Sequence, residues 1–235
     1  MKAVILAAGR GTRTKLGIPK PLVKIAGLSL LERTILNFIS LNIREIVIVV
    51  GHQAKKIKNY LKNKKITQNC QIIWVENPQF QRGNGLSVLY ARDYVEEHFL
   101  LSMVDHLYEA KLFSSLLSQL DDLICVVDSQ PKFADPQDAT RVLIEDGRVK
   151  KIGKNLNQYN ALDCGLFLCS RKIFPVLAET IEEGREEWDS TKNKFAQRFT
   201  AKTFDICGGF WMDVDTPEDI ARARRLLKGK KIEIK

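Results

Sequence analysis

Residues 1–22 read M-K-A-V-I-L-A-A-G-R-G-T-R-T-K-L-G-I-P-K-P-L. Lys2 to Leu6 is a short apolar run, which predicts a buried strand. It passes into Ala7-Ala8-Gly9-Arg10-Gly11-Thr12-Arg13, a small-residue loop with two arginines. Lys20 follows between Pro19 and Pro21. Glycine and alanine keep side chains out of the way, so backbone N–H groups can close on an anion. Arg10, Arg13 and Lys20 add fixed positive charge from the side. The stretch therefore predicts a polyphosphate-binding loop at the carboxyl end of a first parallel strand. It is neither a Walker A loop, which needs Gly-Lys-Ser/Thr, nor the dinucleotide fingerprint, which needs a third glycine where Thr14 stands. A bare G-x-G fits a plain strand-to-helix turn about as well. The arginines and the P-K-P tip the reading toward phosphate.

Working outward, strand and helix patterns alternate. Leu30 to Leu41 places Leu31, Ile35, Phe38 and Ile39 at helical spacing. Glu45 to Val50 is a continuous apolar run, as in parallel strands buried on both faces. Gln53 to Lys62 reads as a basic helix and Gln71 to Val75 as a third strand. A helix from the Gly83-Asn84-Gly85 turn to about Val95, a strand over Phe99 to Val104, a helix from Leu107 and a strand over Leu123 to Val127 continue the series. This βαβα order predicts a doubly wound α/β sheet with its site at the carboxyl strand ends. The second half changes character. Thr140 to Ile144 and Arg148 to Ile152 flank Glu145-Asp146-Gly147 as a β-hairpin. Leu162 to Cys169 is strand-like and Arg171 to Glu182 helical. Asp189-Ser190-Thr191 offers a cap for a short helix, Phe204 to Met212 reads as strand or loop, and Thr216-Pro217 opens a last helix. We expect one domain over 1–235, with 1–130 as a nucleotide-binding half and 131–235 as an acceptor-binding half and C-terminal helix.

Composition narrows the class. The chain has 235 residues, 45% hydrophobic, enough for a full core. Its net charge is +9, much of it in Arg222, Arg224, Arg225, Lys228, Lys230, Lys231 and Lys235. Without interleaved aromatics this tail reads as a solvated helix face and frayed end, so no nucleic-acid partner is expected. Cys70, Cys125, Cys164, Cys169 and Cys207 form no C-x-x-C pair, which argues for a reducing compartment and against a zinc site. No signal peptide or membrane-length apolar run is present, so a cytoplasmic protein without a membrane span is expected.

The remaining chemistry sits at strand ends. Asp105 follows F-L-L-S-M-V, and Asp213 and Asp215 follow Phe210-Trp211-Met212. Each is as readily a turn residue as a ligand. Together with a basic phosphate loop, Asp105 and Asp213 read as a Mg²⁺ pair, since Mg²⁺ takes one or two carboxylates plus phosphate oxygens. Asn84 between two glycines reads equally as a base-edge reader or as a helix cap. His106 lacks a nucleophile partner and reads as a turn or supporting residue, and His52 and His98 as structural or exposed.

The combination of A-A-G-R-G-T-R, P-K-P-L, G-N-G before a helix, a strand-end Asp105 and W-M-D-V-D resembles the nucleoside-diphosphate-sugar pyrophosphorylases over nearly the whole chain. Within them, G-N-G-L-S-V-L, P-K-F-A-D, A-T-R-V-L-I-E-D-G-R-V-K-K-I-G-K and F-W-M-D-V-D-T-P-E-D look most like the CTP:inositol-1-phosphate cytidylyltransferases. The resemblance implies a Rossmann-like, doubly wound mixed sheet of the GT-A-like nucleotidyltransferase type, with a β-hairpin acceptor lobe. It implies CTP and a small phosphorylated acceptor as partners, Mg²⁺ as cofactor, and a stand-alone transferase; a homodimer stays open. By position, Ala7, Ala8, Gly9, Arg10, Gly11, Arg13 and Lys20 would hold the triphosphate, with Lys20 and Arg10 catalytic. Gly83, Asn84, Gly85 and Ser87 would contact cytosine and ribose. Asp105 and Asp213 would hold the metal. Asp105, Thr140, Lys154, Asp163 and Gly165 would line the acceptor pocket. Two departures stand out: Gly-Asn-Gly replaces the family's usual Gly-Thr-Ala, and Gly153-Lys154 replaces its Glu-Lys. Other acceptors compete, a sugar 1-phosphate or phosphocholine, for which Phe133, Tyr159, Phe167 and Trp188 would offer a cation cage. A catalytically silent nucleotide-sensing module is the alternative of another class.

Overall fold

The structure, a computed structural model, describes residues 1–62 and 64–229. Four parallel strands form its first half: β1 (Lys2–Ala7), β4 (Glu45–Val50), β5 (Gln71–Glu76) and β6 (His98–Met103). Two short strands, β2 (Lys24–Ile25) and β3 (Leu28–Ser29), pair between β1 and α1 (Leu30–Ser40). Every apolar residue of β1 and β4 is buried, because helices cover both faces. On one face α1 and α2 (Ala54–Lys62) contribute Leu31, Ile35, Phe38, Ile57 and Leu61. On the other, α3 (Asn84–Tyr90), α4 (Ile173–Glu182) and α5 (Trp188–Arg198) contribute Val88, Phe174, Leu177, Trp188 and Phe195. A smaller core under α6 (Pro217–Gly229) joins Ile220 and Ala223 to Val23 and Met212.

The second half extends the same sheet. It adds β8 (Leu123–Asp128), β9 (Arg141–Glu145), β10 (Arg148–Gly153), β11 (Ala161–Ser170) and β12 (Lys202–Asp205). The nine strands run β5-β4-β1-β6-β11-β8-β12-β10-β9, and β9 returns to pair with β11. The sheet is thus mixed and doubly wound, and its last strands curl into a closed ring. The hairpin is part of this sheet and turns at Asp146-Gly147, both at positive φ. On one edge β11 pairs with β6 through Leu166–Ser170 and with β9 through Ala161 and Leu162. Asp163 to Gly165 fall in the gap between these partners, which opens the sheet there.

Some local expectations need correcting. No α-helix starts at Leu107. His106–Tyr108 is instead a strand, β7, paired antiparallel with β13 (Trp211–Asp213), and 3-10 turns follow at Ala110–Phe113 and Leu116–Ser118. Leu107 packs into the core under α6 and Tyr108 into the main core beside α1, the two-sided burial of successive residues that a strand gives. The expected strand or loop over Phe204 to Met212 resolves into the end of β12, a turn and β13. Helix α5 begins at Trp188, before the Asp189-Ser190-Thr191 that was expected to cap it, and Glu187 occupies the cap position without a side-chain bond. Of the basic tail, Arg222, Arg224, Arg225 and Lys228 lie on α6, while Lys230, Lys231 and Lys235 are outside the described residues. All five cysteines are free. Among the described residues, no helix is long and apolar enough to cross a membrane.

Candidate active site

Two joined cavities, of about 460 and 260 Å³, open at the carboxyl ends of β1 and β6 and share Arg13, Asn84, Met103, Asp105 and Asp215. The smaller is walled by the opening loop. Ala7, Ala8, Gly9, Gly11, Arg13 and Lys20 all line it. Gly11 takes φ +59°, and a Cβ there would lie 2.4 Å from the Cβ of Lys20. Its glycine is what lets the lysine lie across the loop. Lys20 opens a 3-10 turn whose backbone Pro19 and Pro21 restrict. Arg10 stands apart. It is exposed, lines neither cavity, and places its guanidinium 6.0 Å from the Phe80 ring.

Lys20 is only 7% exposed, and its Nζ donates to Asp105 Oδ2 at 2.5 Å and to Asp215 Oδ1. Burial opposes its charge, but Asp105 and Asp215 outweigh that and raise its pKa. Arg13 bridges Asp138 (2.9 Å) and Asp215 (2.6 Å). The pairing of β7 with β13 sets Asp213 opposite His106, which is how residues so distant in sequence converge. Asp105 accepts from His106 Nδ1 at 2.8 Å. Burial opposes its ionisation, yet Lys20 and then His106 hold its carboxyl well below the usual range. His106 lies 6.0 Å from Trp211 in a parallel stack, and a Cβ on Gly165, at φ +69°, would come within 2.6 Å of its ring. Burial lowers the His106 pKa, but the hydrogen bond to Asp105 and the charges of Asp105, Asp213 and Asp163 together outweigh it and the net shift is upward.

Asp213 behaves differently. Burial raises its pKa, and although His106 opposes this, Asp215 and Asp105 add repulsion. Asp138, Asp213 and Asp215 each bring one oxygen within 4.8 Å of the others. These hard oxygen donors suit a divalent cation, and a cation would relieve the crowding that keeps Asp213 from ionising freely. Among the described residues this grouping includes the expected Asp213 together with Asp138 and Asp215; Asp105 is not part of it and bonds Lys20 and His106, as Asp215 bonds Lys20 and Arg13.

Of the residues expected at a base, Asn84 lines both cavities, but its Oδ1 accepts from the Trp188 backbone N–H at 2.8 Å. Gly83 and Gly85 line neither cavity; a Cβ on either would collide with Glu186, whose carbonyl accepts from the Gly85 N–H at 2.9 Å. These glycines admit a neighbouring loop's backbone. Ser87 lines the smaller cavity and accepts from Asn77 Nδ2 at 3.0 Å.

Thr140, Lys154, Asp163 and Gly165 all line the larger cavity. Lys154 is half-exposed, with Asp138 its nearest acid at 3.4 Å. Asp163 is buried; its Oδ1 accepts from the Gly165 N–H at 2.9 Å and its Oδ2 from Lys192 Nζ at 2.5 Å. Sequence reasoning did not pick out Asp138 or Lys192, which also line this cavity, read Asp189 only as a helix cap, and left Asp215 unassigned. Asp138 sits in the loop before β9 and Lys192 inside a polar helix, so neither had a local signal. The expected aromatic cage is not assembled. Phe133 packs on Phe210, Tyr159 lies under Arg141, and Trp188 is buried against Phe167, whose face Lys192 covers at 4.4 Å.

Residues 3–194 match the family model described as the MobA-like NTP transferase domain. A protein of Rubrobacter xylanophilus named bifunctional IPC transferase and DIPP synthase is 40% identical over 97% of this chain and 52% of its own length. The protein of that name from Archaeoglobus fulgidus is 37% identical over 97% of the chain and 44% of its own. The chain thus spans about half the length of the curated relatives it matches. Among solved structures, the inositol-1-phosphate CTP transferase from T. maritima superposes with a TM-score of 0.88 at 27% identity, over 99% of this chain and 96% of that one. UDP-glucose pyrophosphorylase complexed with UDP-glucose superposes at 0.84 with 19% identity, over 98% and 99%, which speaks to the fold alone.

Proposed function

Because this chain belongs to the MobA-like NTP transferase domain family, we propose that it transfers the cytidylyl group of CTP to myo-inositol 1-phosphate. The products are CDP-inositol and pyrophosphate. The observation that carries this choice is the end-to-end likeness to an inositol-1-phosphate CTP transferase. The two-part cleft supports it, with a basic loop at one end and a polar pocket at the other.

An oxygen of the acceptor phosphate attacks the α-phosphorus of CTP. The new O–P bond forms as the bond to the β-phosphate oxygen breaks, and pyrophosphate leaves. Both reactants are anions, so their repulsion is the main barrier, and positive charge with positioning does most of the catalysis. The attacking phosphate is already ionised, so no protein base or nucleophile is required. Arg13 lines both cavities and Lys20 the smaller one, and the triphosphate competes with Asp105, Asp138 and Asp215 for them. Lys20 serves the α-phosphate, Lys154 the acceptor phosphate, and Asn84 and Ser87 the nucleoside. Mg²⁺ would be held by Asp213 with Asp138 and Asp215, and when bound it would shield the charge on the phosphate oxygens. Arg10 acts only after leaving Phe80.

Pyrophosphate release with each of the four nucleoside triphosphates, crossed with inositol 1-phosphate, phosphocholine and glucose 1-phosphate, tests the proposal. CTP with inositol 1-phosphate should be preferred. Release only with another pair would move the assignment to that pair, and release with none would overturn it.

A further inference from the structure

Arg82, Gly83, Asn84 and Gly85 each bond to the stretch that leads into α5, residues 186–188. The Arg82 guanidinium grips the Glu186 carboxylate, with Nε 2.9 Å from Oε1 and 3.0 Å from Oε2. The Gly83 N–H donates to Glu186 Oε2 at 3.3 Å, the Gly85 N–H to the Glu186 carbonyl, and the Trp188 N–H to Asn84 Oδ1. The two sides of this clasp are not equally anchored. Helix α4 ends in a Schellman turn: Gly184 takes φ +76°, its N–H donates to the Ile181 carbonyl at 2.9 Å, and the Arg185 N–H donates to the Thr180 carbonyl at 2.8 Å. That turn delivers Glu186, and the Trp188 side chain after it is fully buried. On the other side Arg82 and Asn84 are exposed, and Gly83 has no side chain to pack. A Cβ on Gly83 would lie 2.4 Å from the Glu186 backbone, so the bare turn is what lets the anchored stretch approach.

The clasp decides what Asn84 offers a ligand. A backbone N–H can only donate, so the Asn84 atom that faces Trp188 is its carbonyl oxygen. The amide nitrogen, with its two N–H donors, is the part left for a ligand, and Asn84 lines both cavities. With the turn loosened, the amide can leave Trp188, turn over and present its oxygen instead. Held in place, it offers only donors and favours a base edge made of acceptors. Ring nitrogen N3 accepts in cytosine and carries a proton in uracil. Arg82 and Glu186 line neither cavity, so they act through Asn84.

Resting on the proposed function, which places the nucleoside at Asn84, we propose that Arg82 and Glu186 are positioning residues for nucleotide selection. Their clasp moors the turn before α3 to the anchored end of the α4–α5 loop and fixes Asn84 as an N–H donor. A fixed donor rejects a base that brings a donor to it, because both N–H groups are then left unpaired.

Binding calorimetry with Mg²⁺ and each of the four nucleoside triphosphates, without acceptor, tests this. The wild-type protein should bind CTP about a hundredfold more tightly than UTP. Arg82→Gln and Glu186→Gln should each weaken CTP about tenfold and UTP hardly at all, so that the CTP-over-UTP ratio narrows about tenfold. The double variant should match either single one, because both remove the same clasp. Melting temperatures should stay within about 2 °C of wild type, since the pair is solvent-facing. Asn84→Asp keeps an oxygen for the Trp188 N–H and turns an acceptor toward the base, so its ratio should swing toward UTP. An unchanged ratio in Arg82→Gln or in Asn84→Asp, or losses that multiply in the double variant, would overturn the clasp's role. If the wild type prefers another nucleotide, and the single and double variants lose affinity for it alike, the clasp stands and the proposed function falls. Binding of no nucleotide overturns both.

Discussion

Lys20 is where the cleft's charge balance is decided. It is buried in the wall of the smaller cavity and paired with Asp105 and Asp215, which line both cavities. Its contribution to the transition state should be that of a preorganised cation at a transferring phosphoryl group, about 2–4 kcal/mol. Lys20→Met should therefore lower kcat about a hundredfold or more while the CTP KM changes several-fold at most. Steady-state kinetics with varied CTP checks this, and near-normal kcat would remove Lys20 from the chemistry. Such residues differ in how openly the sequence marks them. Lys20 is marked by its two prolines, and Asp105 and Asp213 by the apolar runs that deliver them. Asp138 and Lys192 carry no local mark. One belongs to a loop and the other to a helix with polar spacing, and only tertiary packing turns them into the cleft. Arg10 shows the reverse: a residue of the most legible motif lies outside both cavities, on Phe80.

At the scale of the element, α1 is held at its start by a reciprocal cap. Ser29 Oγ accepts from the Glu32 N–H at 3.1 Å, and Glu32 accepts from the Ser29 N–H at 2.9 Å. Tyr60 and Lys64 add further bonds to the same carboxylate and so tie α1 to α2. Burial opposes the ionisation of Glu32, but these bonds outweigh it and bring its pKa from 4.5 to about 2. The folded pKa is depressed, so the stabilisation is present above the unfolded value and is lost as pH falls toward 2. It is worth roughly 3 kcal/mol at neutral pH. Glu32→Gln should cost roughly 2–3 kcal/mol by urea unfolding at pH 7, with the gap from wild type closing between pH 4 and 2. A gap independent of pH would mean the carboxylate charge is irrelevant. The S-L-L-E that builds this cap can be read locally, as can the long strands. The β7–β13 pair cannot. Leu112, Phe113 and Leu116 offer helical spacing just beyond it, and three-residue strands are specified by a partner about a hundred residues away.

Across the whole molecule, the parallel half supplies the basic loop, the strand ring supplies Asp163 and Lys154, and the chain before α6 supplies Asp213 and Asp215. The alternation of strands and helices in the first half was legible, because each βαβ unit is local. The closing of β9 onto β11 did not, because it depends on a bulged strand with two different partners on one edge. The gap this leaves is where the carboxylates gather, and gathering them costs stability. Asp213 is the clearest case. Its folded pKa is raised, so the penalty appears as pH rises through the usual carboxylate range and persists at neutral pH. Removing its charge should help the fold and harm the function. Asp213→Asn should melt above the wild type in chelator, by about 2–4 °C for each kcal/mol relieved. Added Mg²⁺ should raise the wild-type melting temperature by mass action and move the variant much less. Turnover in the variant should demand far more Mg²⁺. Thermal unfolding with and without chelator checks all but the last, which a metal titration of activity covers. A variant that melts lower in chelator, or responds to Mg²⁺ as the wild type does, would place the cation away from Asp213.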